Sequence, residues 1–227
     1  MTTKQAPWVG APLGQNRLVQ GLLAWYLLFW AWMAISPVDR GDWLLENILA
    51  MTAVILVIVT ARRFQFSNLS YLLITLFLTL HAVGAHYTYA KVPFGFWLQD
   101  LLNAERNPFD RLVHFAYGLL LAYPIREVLI RLAGVRGIWS YFLPVSATLA
   151  QSGLFELIEA VAASIVSPEL GAAYLGTQGD EWDAQKDMAS ALVGAILMML
   201  ITLAASKRGR AFVPSNAAMK AASDAIT

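Results

Sequence analysis

Residues 43–61 read WLLENILAMTAVILVIVTA and carry one charged side chain, Glu46. A helix rises about 1.5 Å per residue, so about 20 such residues cross a hydrocarbon core of ~30 Å. Similar apolar stretches lie on both sides of this one, at residues 18–36, 70–90, 109–130, 138–166 and 187–206. The sequence therefore predicts an all-α, polytopic membrane protein in which six transmembrane helices form one bundle.

The composition agrees with this fold class and excludes several functions. Of the 227 residues, 58% are hydrophobic and only 14% are charged, whereas soluble domains carry about a quarter charged residues. A net charge of +1 provides no basic surface for nucleic acid. The chain has no cysteine, which excludes disulfides, thiolate–metal sites and thiol catalysis.

Basic residues set the predicted orientation. Arg62 and Arg63, and the run KRGR at 207–210, lie directly at the ends of apolar stretches, where the positive-inside bias is strongest. We therefore predict a multi-pass membrane protein with both termini in the cytoplasm. The domain boundaries that follow are a polar leader at 1–17, a transmembrane domain at 18–206 and a tail at 207–227.

Acidic residues are distributed unevenly across this topology. Only Glu127 and Asp224 fall on the cytoplasmic side, and the other 13 of the 15 acids lie on or near the outer side. Acids contribute little to topology, so the skew needs another cause. It indicates either a solvated acidic surface or a polar site near the outer face.

Ionisable residues inside membrane spans are costly and therefore mark functional candidates. Asp110 and His114 are spaced i, i+4 and share one helix face, as do Asp183 and Asp187. Small residues that follow Asp187, including Gly194, allow another helix to approach closely. Other polar positions in the outer halves of the helices are His81, His86, Thr148, Ser152, Glu156 and Glu159.

Histidine and carboxylate groups suit Zn, Mn, Fe or Mg, and they can also transfer protons. The candidate metal ligands are His81, His86, His114, Glu156, Glu159, Asp183 and Asp187. The candidate acid–base residues are His114, Asp110, Glu156 and Asp187. Arg111 offers a guanidinium fork for an anionic head group, and Tyr87 and Tyr89 are further candidates for substrate binding.

Simpler interpretations stay open for single residues. A lone histidine in a span is most often satisfied by a backbone carbonyl or hydroxyl, and Asp110 with Arg111 would also form an interfacial ion pair. Asp180 is expected to be a solvated loop residue, and Glu46 is expected to extend to the outer interface. Residues 91–107 mix aromatic and sparse polar side chains, which predicts a short amphipathic element at the interface.

Four separated motifs resemble the YjdF-type family of bacterial inner-membrane proteins. They are H-x-x-G-x-HYTY-x-x-VP at 81–93, N-x-FDR-x-x-H at 107–114, Glu156, and GTQGD-x-WD-x-Q-x-DM at 176–188. A looser similarity links Asp110, Arg111, His114 and Phe115 to the VanZ-like membrane proteins, although Glu159 and Ala191 replace residues of that pattern. These resemblances imply the helical arrangement and the choice of residues, but no reaction.

Three functions remain open at this point. The first is a membrane-embedded metal site or enzyme that acts on or binds a polar lipid or isoprenoid head group in an outward-facing pocket. The second is a small transporter, although the charges lie near one face rather than at the midplane where transporters place them. The third is a structural or envelope-stress protein without catalysis. Neither the oligomeric state nor the substrate follows from the sequence.

Overall fold

The computed structural model describes residues 14–207, and this part of the chain is helical without strands. The predicted all-α class is confirmed for these residues. Most of the predicted leader and tail, residues 1–13 and 208–227, lies outside the described residues. The helices are α1 (Arg17–Met33), α2 (Arg40–Thr60), α3 (Asn68–His86), α4 (Pro93–Leu102), α5 (Phe109–Arg131), α6 (Trp139–Ile165), α7 (Pro168–Leu175) and α8 (Asp183–Lys207).

Each of the six apolar stretches coincides with a long helix. Four of these helices, α2, α3, α5 and α8, are long and apolar enough to cross a membrane. The structure therefore supports a helical membrane protein with four candidate spans, and six spans remain a prediction. Large apolar side chains on the outside of the bundle, such as Val59 and Leu28, are exposed as a bilayer-facing surface requires.

Polar side chains fix where several of these helices begin. The Asn16 side chain accepts a hydrogen bond from the Val19 amide, and the Ser67 side chain accepts one from the Ser70 amide. Asp39 does the same for the first turn of α2. Such caps satisfy amides that have no partner within the helix and contribute about 1 kcal/mol each.

Helix α5 is central, since it packs against α3, α4, α6 and α8. Its contact with α8 is the closest because two glycines remove side chains from the interface. A Cβ atom on Gly118 would overlap the Ala191 carbonyl oxygen, and one on Gly194 would overlap the Phe115 carbonyl oxygen. The prediction that small residues of α8 admit a neighbouring helix is confirmed.

Two short helices lie at the end of the bundle where α5 and α8 begin. Helix α4 falls inside the predicted amphipathic segment, and its Phe94, Trp97 and Leu101 side chains are exposed. Helix α7 packs against both α2 and α6. It covers the space between their ends, where Leu170 approaches Gly41 and Gly171 approaches the Ala163 backbone.

Candidate functional site

Polar side chains gather at one end of the bundle, which we call the acidic end. Helices α2, α5 and α8 begin there, and α1, α3 and α6 end there. Alternation of helix direction thus brings the starts of three helices beside the ends of three others. The i, i+4 pair Asp110 and His114 therefore faces acids that are distant in sequence.

His114 lies between carboxylates from two helices. Its Nε2 atom is 3.6 Å from Asp110 Oδ1 and 3.6 Å from Glu156 Oε1. These distances are too long for hydrogen bonds. Ligand atoms of Asp110, His114 and Asp187 all lie within 4.8 Å of one another. The structure thus brings together the four residues that the sequence analysis selected for acid–base chemistry.

Two of these carboxylates have oxygen atoms without a partner. Asp187 is 2% exposed, and its Oδ1 makes no hydrogen bond to any described residue. Glu156 Oε1 is likewise buried without a hydrogen bond within residues 14–207. Burying an anionic oxygen in this way costs several kcal/mol unless a positive charge compensates it. The arrangement is therefore suited to a bound cation.

More acidic residues face this group across a cavity of about 510 Å³. Glu46 is 5% exposed, and Glu159 is also buried. The expectation that Glu46 extends to the interface is wrong, because α2 is rotated so that this side chain lines the cavity. His81 also lines it, and a hydrogen bond of 2.5 Å joins its Nδ1 to the Tyr89 hydroxyl.

Ion pairs of Arg106 and Arg111 lie at the rim of the acidic end. Arg106 pairs with the buried Asp183 and donates to the Thr177 carbonyl at 2.5 Å. Burial tends to lower the pKa of Arg106, but the hydrogen bond and charge of Asp183 outweigh it and raise that pKa. The role of Arg106 could not be predicted from the sequence, since nothing local connects it to an acid 77 residues away.

Arg111 and Asp180 form the second pair of the rim. Lys186 also donates to Asp180, at 2.7 Å, and this hydrogen bond is the largest cause that lowers the pKa of Asp180 to about 2. Asp180 is thus ion-paired rather than merely solvated. Arg111 pairs with Asp180 and also lies 3.7 Å from Asp183.

His86 and Tyr87 are placed differently from the other selected residues. His86 Nδ1 is hydrogen-bonded to the Met33 carbonyl at 2.8 Å, and the Tyr87 ring lies 4.5 Å from the His86 ring. His81 and His86 are five residues apart, which on a helix turns their side chains by about 140°. One helix therefore does not present both to one ligand.

Residues 18–208 match the family described as "Predicted membrane protein (DUF2238)". The chain belongs to this family. It is also 44% identical over 167 residues to the inner membrane protein YjdF of Escherichia coli K12. The aligned residues make up 73% of this chain and 79% of that protein.

Membership in DUF2238 confirms the resemblance stated from the four motifs and shows that the chain is a membrane protein. Nothing in the comparisons supports the looser resemblance to the VanZ-like proteins. No solved structure matches the chain. The assignment of roles within the DUF2238 fold therefore rests on the geometry of the acidic end.

Proposed function

We propose that the acidic end is a divalent-metal site that acts on or binds the polar head group of a lipid. The observation that carries this proposal is the position of His114 Nε2, 3.6 Å from one oxygen of Asp110 and one of Glu156. Bonds of about 2.0 Å in a tetrahedral site separate two ligand atoms by about 3.3 Å. These pairs are thus spaced nearly as ligands of one ion.

The donor atoms indicate which metals fit. Asp110, His114, Glu156 and Asp187 supply one imidazole nitrogen and several carboxylate oxygens, without sulfur. Such a set favours Zn, Mn, Fe or Mg over soft metals. Glu159 and His81 lie nearby as further donors, whereas Asp183 is engaged by Arg106.

The rim of the acidic end offers basic side chains to a head group. Arg106, Arg111 and Lys186 line a second, polar cavity of about 540 Å³ together with three acidic residues. A cation at His114 and the guanidinium of Arg111 would together attract a phosphate or carboxylate. Tyr89, at the cavity wall, would contact the part of the ligand that joins head group to chain.

Metal binding by the purified protein tests this proposal directly. The protein is stripped of metal in detergent and titrated calorimetrically with Zn²⁺, Mn²⁺ and Mg²⁺. We expect Asp187→Asn to weaken binding of the preferred ion by at least about 100-fold, because even residues that only support ligands contribute 10–100-fold. The matched control is Glu181→Gln, which neutralises an exposed acid of the same end and should bind as wild type.

Elemental analysis of the protein purified without chelator provides a second readout. Bound divalent metal in wild type, absent from folded Asp187→Asn, is the expected result. Background metal in well-folded wild type, together with no calorimetric signal for any of the three ions, would contradict the proposal. The acids would then serve only the structure of the bundle.

We further propose that all six long helices cross a bacterial inner membrane, with both termini in the cytoplasm. Basic residues at the end opposite the acidic end, including Arg62, Arg63 and Arg131, support this orientation. A fluorescent reporter that folds only in the cytoplasm should be active when fused after residue 227 and inactive in the 176–182 loop. The reverse pattern would overturn the orientation and place the metal site on the cytoplasmic side.

A further inference from the structure

We infer that the 510 Å³ cavity holds the hydrocarbon chain of a phosphate-bearing lipid, which makes a long-chain alkyl or isoprenyl phosphate the ligand class of this protein. The inference rests on the proposed metal site, which would hold the phosphate. It goes beyond that site by specifying a chain-binding cavity and a route of entry from the bilayer.

The cavity begins at the proposed metal site and extends far along the bundle. Asp110 and His114 line its acidic end, and Val19 and Tyr71 line the opposite end. Along α3 and the turn after it, the lining residues run from Tyr71 to Thr88, which at 1.5 Å per residue is about 25 Å. This length is close to the thickness of the hydrocarbon core, ~30 Å.

The chemistry of the lining changes along this length. Carboxylates and histidines are confined to the acidic end, and the remainder is mainly apolar. The apolar lining includes Leu22, Ala53, Val57, Ile74, Leu121 and Leu154. A ligand that matches both parts of the cavity has a charged head and a long apolar chain. A charged head without a chain would leave the apolar part empty, and an apolar chain without a head would leave the acidic part without a polar partner.

The cavity opens sideways, at the depth of the helices. Lining residues on both rims are exposed: Ile58 on α2 is 47% exposed and Leu154 on α6 is 57% exposed. At the acidic end, in contrast, α7 bridges α2 and α6, and its Tyr174 is buried against the cavity. A ligand would therefore enter between α2 and α6 from the bilayer, where long-chain lipids are dissolved.

Charge explains why the ligand's head should be a phosphate held through a metal. The wall of the acidic end carries Glu46, Asp110 and Glu159, which would repel an anionic head in the absence of a cation. A divalent ion at His114 would offset two of these negative charges and would offer an anionic head a direct ligand position. Chain binding and metal binding should thus reinforce each other.

Binding of defined ligands to the full-length protein in detergent tests the inference. The probes are tetradecyl phosphate and farnesyl phosphate, which distinguish an alkyl from an isoprenyl chain, and inorganic phosphate, which has no chain. In the presence of the preferred ion, we expect at least one long-chain probe to bind 100-fold or more tightly than inorganic phosphate. Equal affinity for all three would overturn the inference.

A pair of tryptophan variants separates the cavity from the protein surface. Ala53→Trp fills the middle of the cavity, and Ala24→Trp adds the same side chain at an exposed position outside it. We expect Ala53→Trp to lose at least 10-fold in long-chain affinity while its metal affinity stays unchanged, and Ala24→Trp to behave as wild type. Unchanged chain affinity in folded Ala53→Trp would overturn the inference and leave the metal site intact. Absence of metal binding in wild type would instead overturn the proposed function.

Discussion

Gly118→Leu should prevent the bundle from assembling into its folded form. The Cβ atom would overlap the Ala191 carbonyl oxygen and lie 2.8 Å from the Ala195 amide nitrogen. Both are backbone atoms of α8, so no side-chain rotation relieves the clash and the two helices must separate. Overpacking typically costs 1–3 kcal/mol, and we expect more than about 3 kcal/mol here because backbone atoms are involved.

Size-exclusion chromatography and unfolding in detergent measure this effect. Gly21→Leu is the matched control, since a Cβ atom at Gly21 meets nothing within 4 Å. The control should elute and unfold as wild type. A Gly118→Leu protein that is monodisperse and as stable as wild type would show that the close α5–α8 contact is not required.

Helix α5 carries Asp110 and His114, and α8 carries Asp183 and Asp187. Separation of the two helices would therefore also disperse the proposed metal site. The contact at Gly118 and Gly194 thus links the assembly of the fold to the geometry of its acidic end. This link explains why small residues follow directly after the acids along one face of α8.

The helices could be predicted from the sequence because apolar length is a local property. A run such as residues 43–61 contains enough information to specify one membrane-length helix. The i, i+4 pair Asp110 and His114 could also be placed on one face, since a helix brings such residues together regardless of its neighbours. A short element within residues 91–107 could be predicted for the same reason, and the structure places helix α4 there, whereas its position at a membrane interface stays a prediction.

The rotation of each helix about its axis could not be predicted. Helix α2 is apolar on nearly every side, so its sequence does not determine whether Glu46 faces the bilayer surface or the cavity. Packing against α3 and α7 decides this. The Arg106–Asp183 ion pair could not be predicted for another reason. It depends on the path of two loops that are far apart in the sequence.

Buried acids serve opposite purposes at the two ends of the bundle. Oxygen atoms of Asp187, Asp42 and Glu46 at the acidic end lack hydrogen bonds within the described chain. At the other end, Glu127 is fully engaged. It accepts hydrogen bonds from the Ser67 amide at 2.8 Å, the Ser70 hydroxyl at 2.5 Å and Arg131 at 2.5 Å. Acids of the first kind cost stability and suit a ligand, whereas Glu127 stabilises the fold.

Glu127→Ala should therefore lower the free energy of unfolding by about 3–5 kcal/mol, because it removes one partner of a buried charge pair and leaves the Ser67 amide without its acceptor.

In metal-free protein, Asp187→Asn should instead raise the free energy of unfolding by about 1–3 kcal/mol, since it removes a buried charge that lacks a full set of hydrogen bonds. Denaturant titration of both variants in the same detergent measures the two effects, with Glu181→Ala, at an exposed position, as the control. Equal destabilisation by Glu127→Ala and Asp187→Asn would contradict the division between structural and ligand-binding acids, because a carboxylate whose role is to bind a cation contributes to stability only when that cation is present.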